Sequence, residues 1–254
     1  MTDLLPLAEI EHLEWATVLV AIAALVRGYT GFGFAAIAIT GLNLIWPPQL
    51  SVPVILLLDL IGSLGLLGAA SKAFSKPLVV RLGLGALAGI PVGLLVLTQV
   101  PESWLKLLIS ICVLAMTLAL IWRPRQGNRP LSNGITSLIG AVSGAFTAAA
   151  SVGGLPVVCY LLGTGLSARA QRASMVVFLA ATDLLALLVL YLHGVFDASL
   201  LAPFLMLLLP TLAGVQLGQW GFHRFKPESF HPVALPVLTL LSVSGVGLGL
   251  YRIF

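Results

Sequence analysis

Long uninterrupted runs of apolar residues dominate the chain. Six of them come close to the roughly 20 residues that a helix needs to cross about 30 Å of hydrocarbon. A strict alternation of apolar and polar residues, the sign of a membrane β-barrel, is not seen. The pattern predicts an all-α polytopic membrane protein. The six runs lie near 50–70, 79–99, 103–122, 168–192, 199–221 and 232–252.

Two further apolar segments, 13–46 and 132–165, are longer and are interrupted by glycines. The first break reads Arg27-Gly-Tyr-Thr-Gly-Phe-Gly-Phe34, and the second reads Ser143-Gly-Ala-Phe-Thr-Ala-Ala-Ala-Ser-Val-Gly-Gly-Leu-Pro156. Each segment is too long for one upright helix. We therefore expect two short helices folded back at a glycine-rich tip, and the sequence leaves open whether such a hairpin is re-entrant or crosses fully.

Several sequence features recur in the same order along the chain. Ala88-Gly-Ile-Pro-Val-Gly93 returns as Ala213-Gly-Val-Gln-Leu-Gly218, and Pro101-Glu-Ser-Trp104 returns as Pro227-Glu-Ser-Phe230. Each half also places one aspartate inside the span that follows its broken segment. Together these matches predict an internal repeat.

The composition agrees with a membrane location. Hydrophobic residues make up 59% of the chain and charged residues 9%, whereas soluble domains are about 45–50% apolar and about 25% charged. A water-soluble enzyme is nearly excluded. The net charge of +4 is typical of basic loops on one side of a membrane, and it does not indicate nucleic-acid binding. Both cysteines lie inside apolar runs and predict neither a disulfide framework nor a metal site.

The loop charges favour one topology. If each broken segment returns to its own side, the basic loops 71–81 and 123–129 both face the cytoplasm, as the positive-inside rule requires. The N-terminus then lies outside. Each half makes an odd number of crossings, so the first repeat (1–126) and the second repeat (127–254) of this single membrane domain are inverted. Inverted repeats with interrupted helices are typical of secondary transporters.

The two glycine turns are candidate anion-binding elements. A new helix is expected to begin after each turn, near Ala35 and near Pro156. Its first N–H groups have no partner in the helix, and its dipole is positive at that end. Two such ends meeting at the midplane would form an anion site, with glycine allowing close approach to the backbone. The alternative is that glycine and alanine only let helices pack closely.

Arg27 lies deep in the first apolar run, beside the first glycine turn. A charge there is costly and has to face a partner or a wet cavity. A guanidinium can grip carboxylate, sulfonate or phosphonate oxygens with two hydrogen bonds. The alternative is a structural ion pair with Asp59 or Asp183. The predicted substrate-binding set is Arg27, Thr30, Gly31, Gly33, Ser151, Gly153, Gly154, Pro156 and Gln216.

Asp59 and Asp183 lie inside predicted spans and are candidates for ion coupling. A carboxyl group in an apolar environment can carry a proton across the membrane, although many intramembrane carboxylates are only structural. The motifs of zinc proteases, serine hydrolases and ATP-binding loops do not occur in the sequence. We therefore expect no enzyme, no cofactor and no metal.

The chain resembles the sulfite exporter TauE/SafE family in its glycine-rich motifs. These motifs are Gly28-Tyr-Thr-Gly-Phe-Gly33, Ser151-Val-Gly-Gly-Leu-Pro156 and the repeated Ala-Gly-x-x-x-Gly. The likeness covers essentially the whole chain. The family's usual run of three glycines followed by proline is incomplete here, and the first half has no proline at the matching place. The resemblance implies exchange or export of small anions, such as sulfite, organosulfonates or organocarboxylates, across the bacterial inner membrane, driven by an ion gradient.

The leading hypothesis is a secondary anion transporter that works by alternating access and is proton-coupled. Its partners would be the small anion and the lipid bilayer, and a homodimer is left open. The alternative is a membrane-embedded enzyme or an assembly subunit without transport activity. An enzyme would need a nucleophile–base pair or a metal cluster, and an assembly subunit would not need Arg27 or two glycine tips.

Overall fold

A computed structural model describes residues 13–122, 132–196 and 198–225 and four positions beyond them. The elements of these ranges are all helical, and a short 3₁₀ turn, Ala198–Leu200, precedes the last helix. The α-helices are α1 (Leu13–Thr30), α2 (Phe34–Leu42), α3 (Pro48–Ala70), α4 (Lys76–Gln99), α5 (Glu102–Trp122), α6 (Asn133–Ala150), α7 (Gly154–Leu161), α8 (Ala168–Leu192) and α9 (Leu201–Phe225).

The long apolar helices confirm the prediction of an all-α polytopic membrane protein. Five predicted spans coincide with α3, α4, α5, α8 and α9, and the sixth, 232–252, lies almost wholly outside the described residues. The helix α1 is also long and apolar enough to cross a membrane, although the sequence assigned it only to a broken segment. It runs for 18 residues, about 27 Å of helix, before the break.

The first broken segment folds back on itself. The helix α1 ends at Thr30, and α2 returns along α1, because Gly41 near the end of α2 lies directly on the side chain of Leu19 near the start of α1. The turn contains Gly31 and Gly33, whose φ angles are 85° and 92°. An L side chain is disfavoured at such angles, so the turn requires glycine.

The second broken segment forms a matching hairpin. The Tyr160 hydroxyl near the end of α7 lies 2.7 Å from the Thr136 hydroxyl near the start of α6, so α7 returns along α6. Ser151 makes the turn with a φ of 59°, a left-handed conformation that is uncommon outside glycine. The arms have 18 and 8 residues, against 18 and 9 in the first hairpin.

Glycines on α4 bring that helix into backbone contact with the long arm of the second hairpin. Gly89 and Gly93 lie against the carbonyl oxygens of Ala141 and Ala145 on α6, where a Cβ atom would overlap them. Small residues at these positions let two helix backbones approach closely. These glycines therefore serve the close packing of α4 on α6.

The helix α9 packs on the long arm of the first hairpin in the same way. Gly214 and Gly218, the sequence counterparts of the two α4 glycines, lie against the carbonyl oxygens of Ala21 and Leu25 on α1. The same pair of glycines in each half therefore contacts the hairpin of the other half. Between these two helix pairs, α3 packs against α8.

One end of α8 lies beside the junction of α3 and α4. The backbone N–H of Ser75 donates to the Ser174 hydroxyl at 2.9 Å, so α8 begins on the side where α3 ends and α4 begins. Lys72 and Lys76 also lie at this junction, and this side is called the basic side below. The start of α3 lies on the opposite side.

Candidate functional site

The two hairpin tips enclose one small cavity together with α3 and α8. Its volume is about 10 Å³, roughly the room for one water molecule. The Ser151 hydroxyl donates to the Val52 carbonyl at 3.1 Å, which ties the second tip to α3. The lining residues are Arg27, Gly33, Ala35, Ala36, Asp59, Ser151, Val152, Gly154, Leu155 and Leu179.

Arg27 enters the cavity wall from the end of α1 and is only 1% exposed. Its Nη2 lies 3.2 Å from Asp59 Oδ1 and also donates to the Ser63 hydroxyl. Ser63 in turn donates to the Asp59 carbonyl at 2.7 Å, so α3 fixes the guanidinium on one side. The Arg27 Nε–H has no hydrogen-bond partner within the described chain. This charged group is therefore available to donate a hydrogen bond in the cavity.

Asp59 and Asp183 meet where α3 packs against α8. Both side chains are buried, and their carboxyl groups interact directly. Asp183 Oδ2 has no hydrogen-bond partner among the residues that the structure describes. One guanidinium therefore serves two carboxyl groups, and these three groups are electroneutral only when one carboxyl group holds a proton.

The first turns of α2 and α7 supply backbone donors. Gly33, Ala35 and Ala36 bring the start of α2 to the cavity, and Gly154 does the same for α7. The first N–H groups of a helix have no partner within it, and they carry the positive end of the helix dipole. No side chain caps either helix start. Both tips therefore point donors at one space.

The two helix starts are not equal donors. In α7 the Leu155 N–H already bonds to the Val152 carbonyl at 3.1 Å, and Pro156 has no N–H to give. In α2 all of the first residues, Phe34, Ala35 and Ala36, carry an N–H. The first tip is therefore the richer source of donors.

Several residues of the sequence-predicted set come together at this cavity. Asp183 does not line the cavity but contacts Asp59, which does. The members that line it are Arg27, Gly33, Ser151, Gly154 and Asp59.

Three other predicted residues belong to the tips but lie outside the lining. The Thr30 hydroxyl donates within its own tip, to the carbonyl oxygens of Val26 and Phe32 at 2.8 and 2.6 Å. Gly31 lies beneath a side chain of α8, and Gly153 packs against α6 beside Ser143. These residues shape the turns rather than face the cavity.

The last two predicted residues lie elsewhere. Pro156 occupies the third position of α7 and lines a separate cavity of about 400 Å³ between α5, α6 and α7. Gln216 is exposed on α9, and its side-chain amide points toward Gly65 of α3. Neither one lies in the cavity between the tips.

Outside the two hairpins, three residues near the cavity were not predicted from the sequence. Ser63, which binds Arg27, lies one helical turn after Asp59, and this spacing could have revealed it. Arg172 contacts the first tip, and its position four residues inside a predicted span was a usable signal. Leu179 is an ordinary apolar residue, and nothing in the sequence distinguishes it.

Comparison with known protein families identifies a relative of this chain. The family described as sulfite exporter TauE/SafE matches residues 16–245, which include both hairpin tips and all the residues that line the cavity between them. The chain belongs to the sulfite exporter TauE/SafE family. This confirms the resemblance drawn from the glycine motifs. TauE/SafE proteins are membrane transporters, and this member is a multi-pass membrane protein. No curated protein and no solved structure matches the chain.

Proposed function

We propose that this TauE/SafE protein is a secondary transporter of a small anion, such as sulfite, an organosulfonate or an organocarboxylate, in the bacterial inner membrane. The anion would bind in the cavity between the hairpin tips. The observation that carries the proposal is the meeting of two uncapped helix starts and the buried Arg27 at one cavity. That combination is suited to an anion.

The anion would be held by the first-turn N–H groups of α2 and by the Nε–H of Arg27. Hydrogen bonds from a guanidinium to an anion are stronger than those between neutral groups. The cavity holds about 10 Å³, which is too little for sulfite with its four heavy atoms. Binding therefore requires the tips to separate.

The movement that opens the site would be a rocking of one inverted repeat, 1–126, against the other, 127–254. Two observations support this part of the proposal. The hairpins have the same proportions, and equivalent glycines of α4 and α9 contact the hairpin of the opposite half. The first tip reaches toward the basic side, and the second contacts the start of α3 on the opposite side.

Proton coupling would follow from the shared guanidinium. When the anion binds Arg27, its negative charge weakens the attraction between the guanidinium and the Asp59 carboxylate. Asp59 and Asp183 then face each other as like charges, and uptake of a proton by one of them removes that repulsion. The anion and the proton would therefore cross together.

The experiment that tests the proposal is a flux assay in proteoliposomes, with and without a pH gradient, for sulfite, a short organosulfonate and a short organocarboxylate. We expect saturable uptake of at least one anion that a pH gradient accelerates. An exposed-residue variant, Arg169→Gln, serves as a control that should transport normally. Absence of saturable flux for all three anions would refute the proposal.

A further inference from the structure

Arg172 holds the first hairpin tip from the other half of the chain. It is half-buried in the second turn of α8, and its Nη2 donates to the Gly28 carbonyl at 3.2 Å. Its aliphatic stem lies on Gly31, where a Cβ atom would come 2.7 Å from Arg172 Cγ. A glycine is thus required at position 31 both for the turn and to leave room for the Arg172 side chain.

The second tip has an equivalent contact of different chemistry. Ser151 follows α6 as Gly31 follows α1, and both residues have positive φ angles. The partner of Ser151 is Val52, the fifth residue of α3, just as Arg172 is the fifth residue of α8. One tip is therefore held by a neutral hydroxyl–carbonyl bond, and the other by a guanidinium.

Arg172 also lies on the face of α8 that leads to the cavity. Leu179, which lines the cavity, comes about two helical turns after Arg172, and Asp183 comes about three turns after it, so the three residues share one face. The helix α8 begins on the basic side. Arg172 therefore lies between the basic side and the cavity, over the first tip.

We infer that Arg172 is the gate of the anion path on the basic side, an inference that rests on the proposed transport function. Bound to the Gly28 carbonyl, Arg172 keeps the first tip against α8 and closes the path. An anion oxygen binds a guanidinium more strongly than a neutral carbonyl does. An anion that arrives from the basic side draws Arg172 away from Gly28, and the tip is released.

The proposed gate should affect access to the cavity from one side only, because the equivalent contact at the second tip carries no charge. Loss of the Arg172 side-chain contact opens the cavity to the basic side and leaves the other side closed by Ser151 and Val52. A merely structural role of Arg172 would loosen the protein without preferring one side. Access to the cavity from each side therefore distinguishes the two roles.

The test uses a cysteine reporter at Ala36, which lines the cavity, in a chain whose Cys112 and Cys159 are replaced by alanine. A membrane-impermeant thiol reagent is added from each side in vesicles of known orientation. In the Arg172→Gln variant we expect the labelling rate from the basic side to rise on the order of tenfold, with no change from the opposite side. Arg172→Lys keeps the charge without the planar fork, and a smaller rise is expected.

The matched control is Arg169→Gln, which removes the same charge from an exposed position in the first turn of α8. It should label at the rate of the unmodified chain. A rate unchanged in both Arg172 variants, or one that rises equally from both sides, would overturn the gate. If Arg172→Gln does not yield folded protein, the Arg172→Lys result decides alone.

This test does not depend on the identity of the cargo. The labelling reaction needs no transported anion, so a failed gate and a failed transport function give different results. Wild-type protein without anion flux would refute the proposed function while the sided labelling could still be measured. Normal flux with unchanged labelling in the Arg172 variants would refute only the gate.

Discussion

Arg27 Nη2 lies 3.2 Å from Asp59 Oδ1, and both residues line the cavity between the hairpin tips. The sequence offered two roles for Arg27, a substrate contact or a structural ion pair. The structure shows the ion pair, and the substrate contact stays a proposal. The pair fixes the guanidinium, while Nε remains available. An anion that entered the cavity would therefore compete with Asp59 for the guanidinium and weaken the ion pair.

The ion pair predicts a specific pattern of stability. Breaking a buried pair by removing one partner costs about 3–5 kcal/mol, because it leaves an uncompensated charge. We expect Arg27→Met to lower the melting temperature in detergent, and the double variant Arg27→Met/Asp59→Asn to recover most of the loss. A double variant no more stable than the single one would show that the pair does not hold the tip.

Arg27→Ala should also abolish anion binding. The substitution removes the only guanidinium that lines the cavity among the described residues, and the backbone N–H groups alone provide no full charge. Isothermal titration of the purified, folded variant measures the effect, with Arg169→Gln as the matched control. Wild-type affinity in Arg27→Ala would remove this residue from the binding site.

The two aspartates should be separable by their effect on coupling. Asp59→Asn and Asp183→Asn each replace one carboxyl group by an amide, which cannot ionise. Each variant therefore imitates the protonated state of the pair permanently and cannot release the proton. We expect exchange of internal for external anion to persist, while a pH gradient no longer drives accumulation. Gradient-driven accumulation at the wild-type rate in both variants would contradict proton coupling through this pair.

Substitutions at the first tip should differ in a graded way. Gly31→Ala places an L side chain at a φ of 85° and against the stem of Arg172, and the left-handed conformation alone costs about 1–2 kcal/mol. Gly33→Ala has the same conformational strain, at a φ of 92°, but its Cβ atom would meet only Val26, at 3.6 Å, so it should destabilise less than Gly31→Ala. Gly68→Ala is the control, since Gly68 lies in open space on α3 and alanine is the better helix former there. Thermal unfolding in detergent ranks the three, and equal effects at Gly31 and Gly68 would contradict the assigned turn.

The glycine contacts between the halves make a further stability prediction. Gly89→Ala pushes α4 away from the Ala141 carbonyl on α6, whereas Gly83→Ala on the same helix meets nothing within 4 Å. The first variant should lose folded protein on size-exclusion chromatography, and the second should behave like the unmodified chain. Equal yields would mean that α4 and α6 tolerate a wider separation.

The helices could be predicted from the sequence because apolar run length is set by membrane thickness. Both breaks could also be placed, because a glycine cluster in the middle of an overlong apolar run permits the backbone turn that the excess length requires. The helix starts were less exact: α2 begins at Phe34, one residue before the expected Ala35, and α7 begins at Gly154, two residues before the expected Pro156.

The side chains that complete the site could be predicted only in part. Arg27 and Asp59 are charges in an apolar run, and such charges stand out in any membrane sequence. Arg172 lies four residues inside its predicted span, which marks it as a charge in an apolar segment but does not reveal what it contacts. Its position over Gly31 depends on how α8 packs against the first hairpin, and no local pattern encodes that packing. Thr30 was a reasonable candidate, but its hydroxyl is used within its own turn.

The anion site is best tested by a structure of the protein with a bromoalkylsulfonate, whose bromine atom can be located by anomalous scattering. We expect the sulfonate group between the two hairpin tips, within hydrogen-bond distance of the first N–H groups of α2 and of Arg27 Nε, with the tips further apart than the cavity of about 10 Å³ places them. A sulfonate bound elsewhere in the protein, while the tips remain closed on each other, would contradict this expectation.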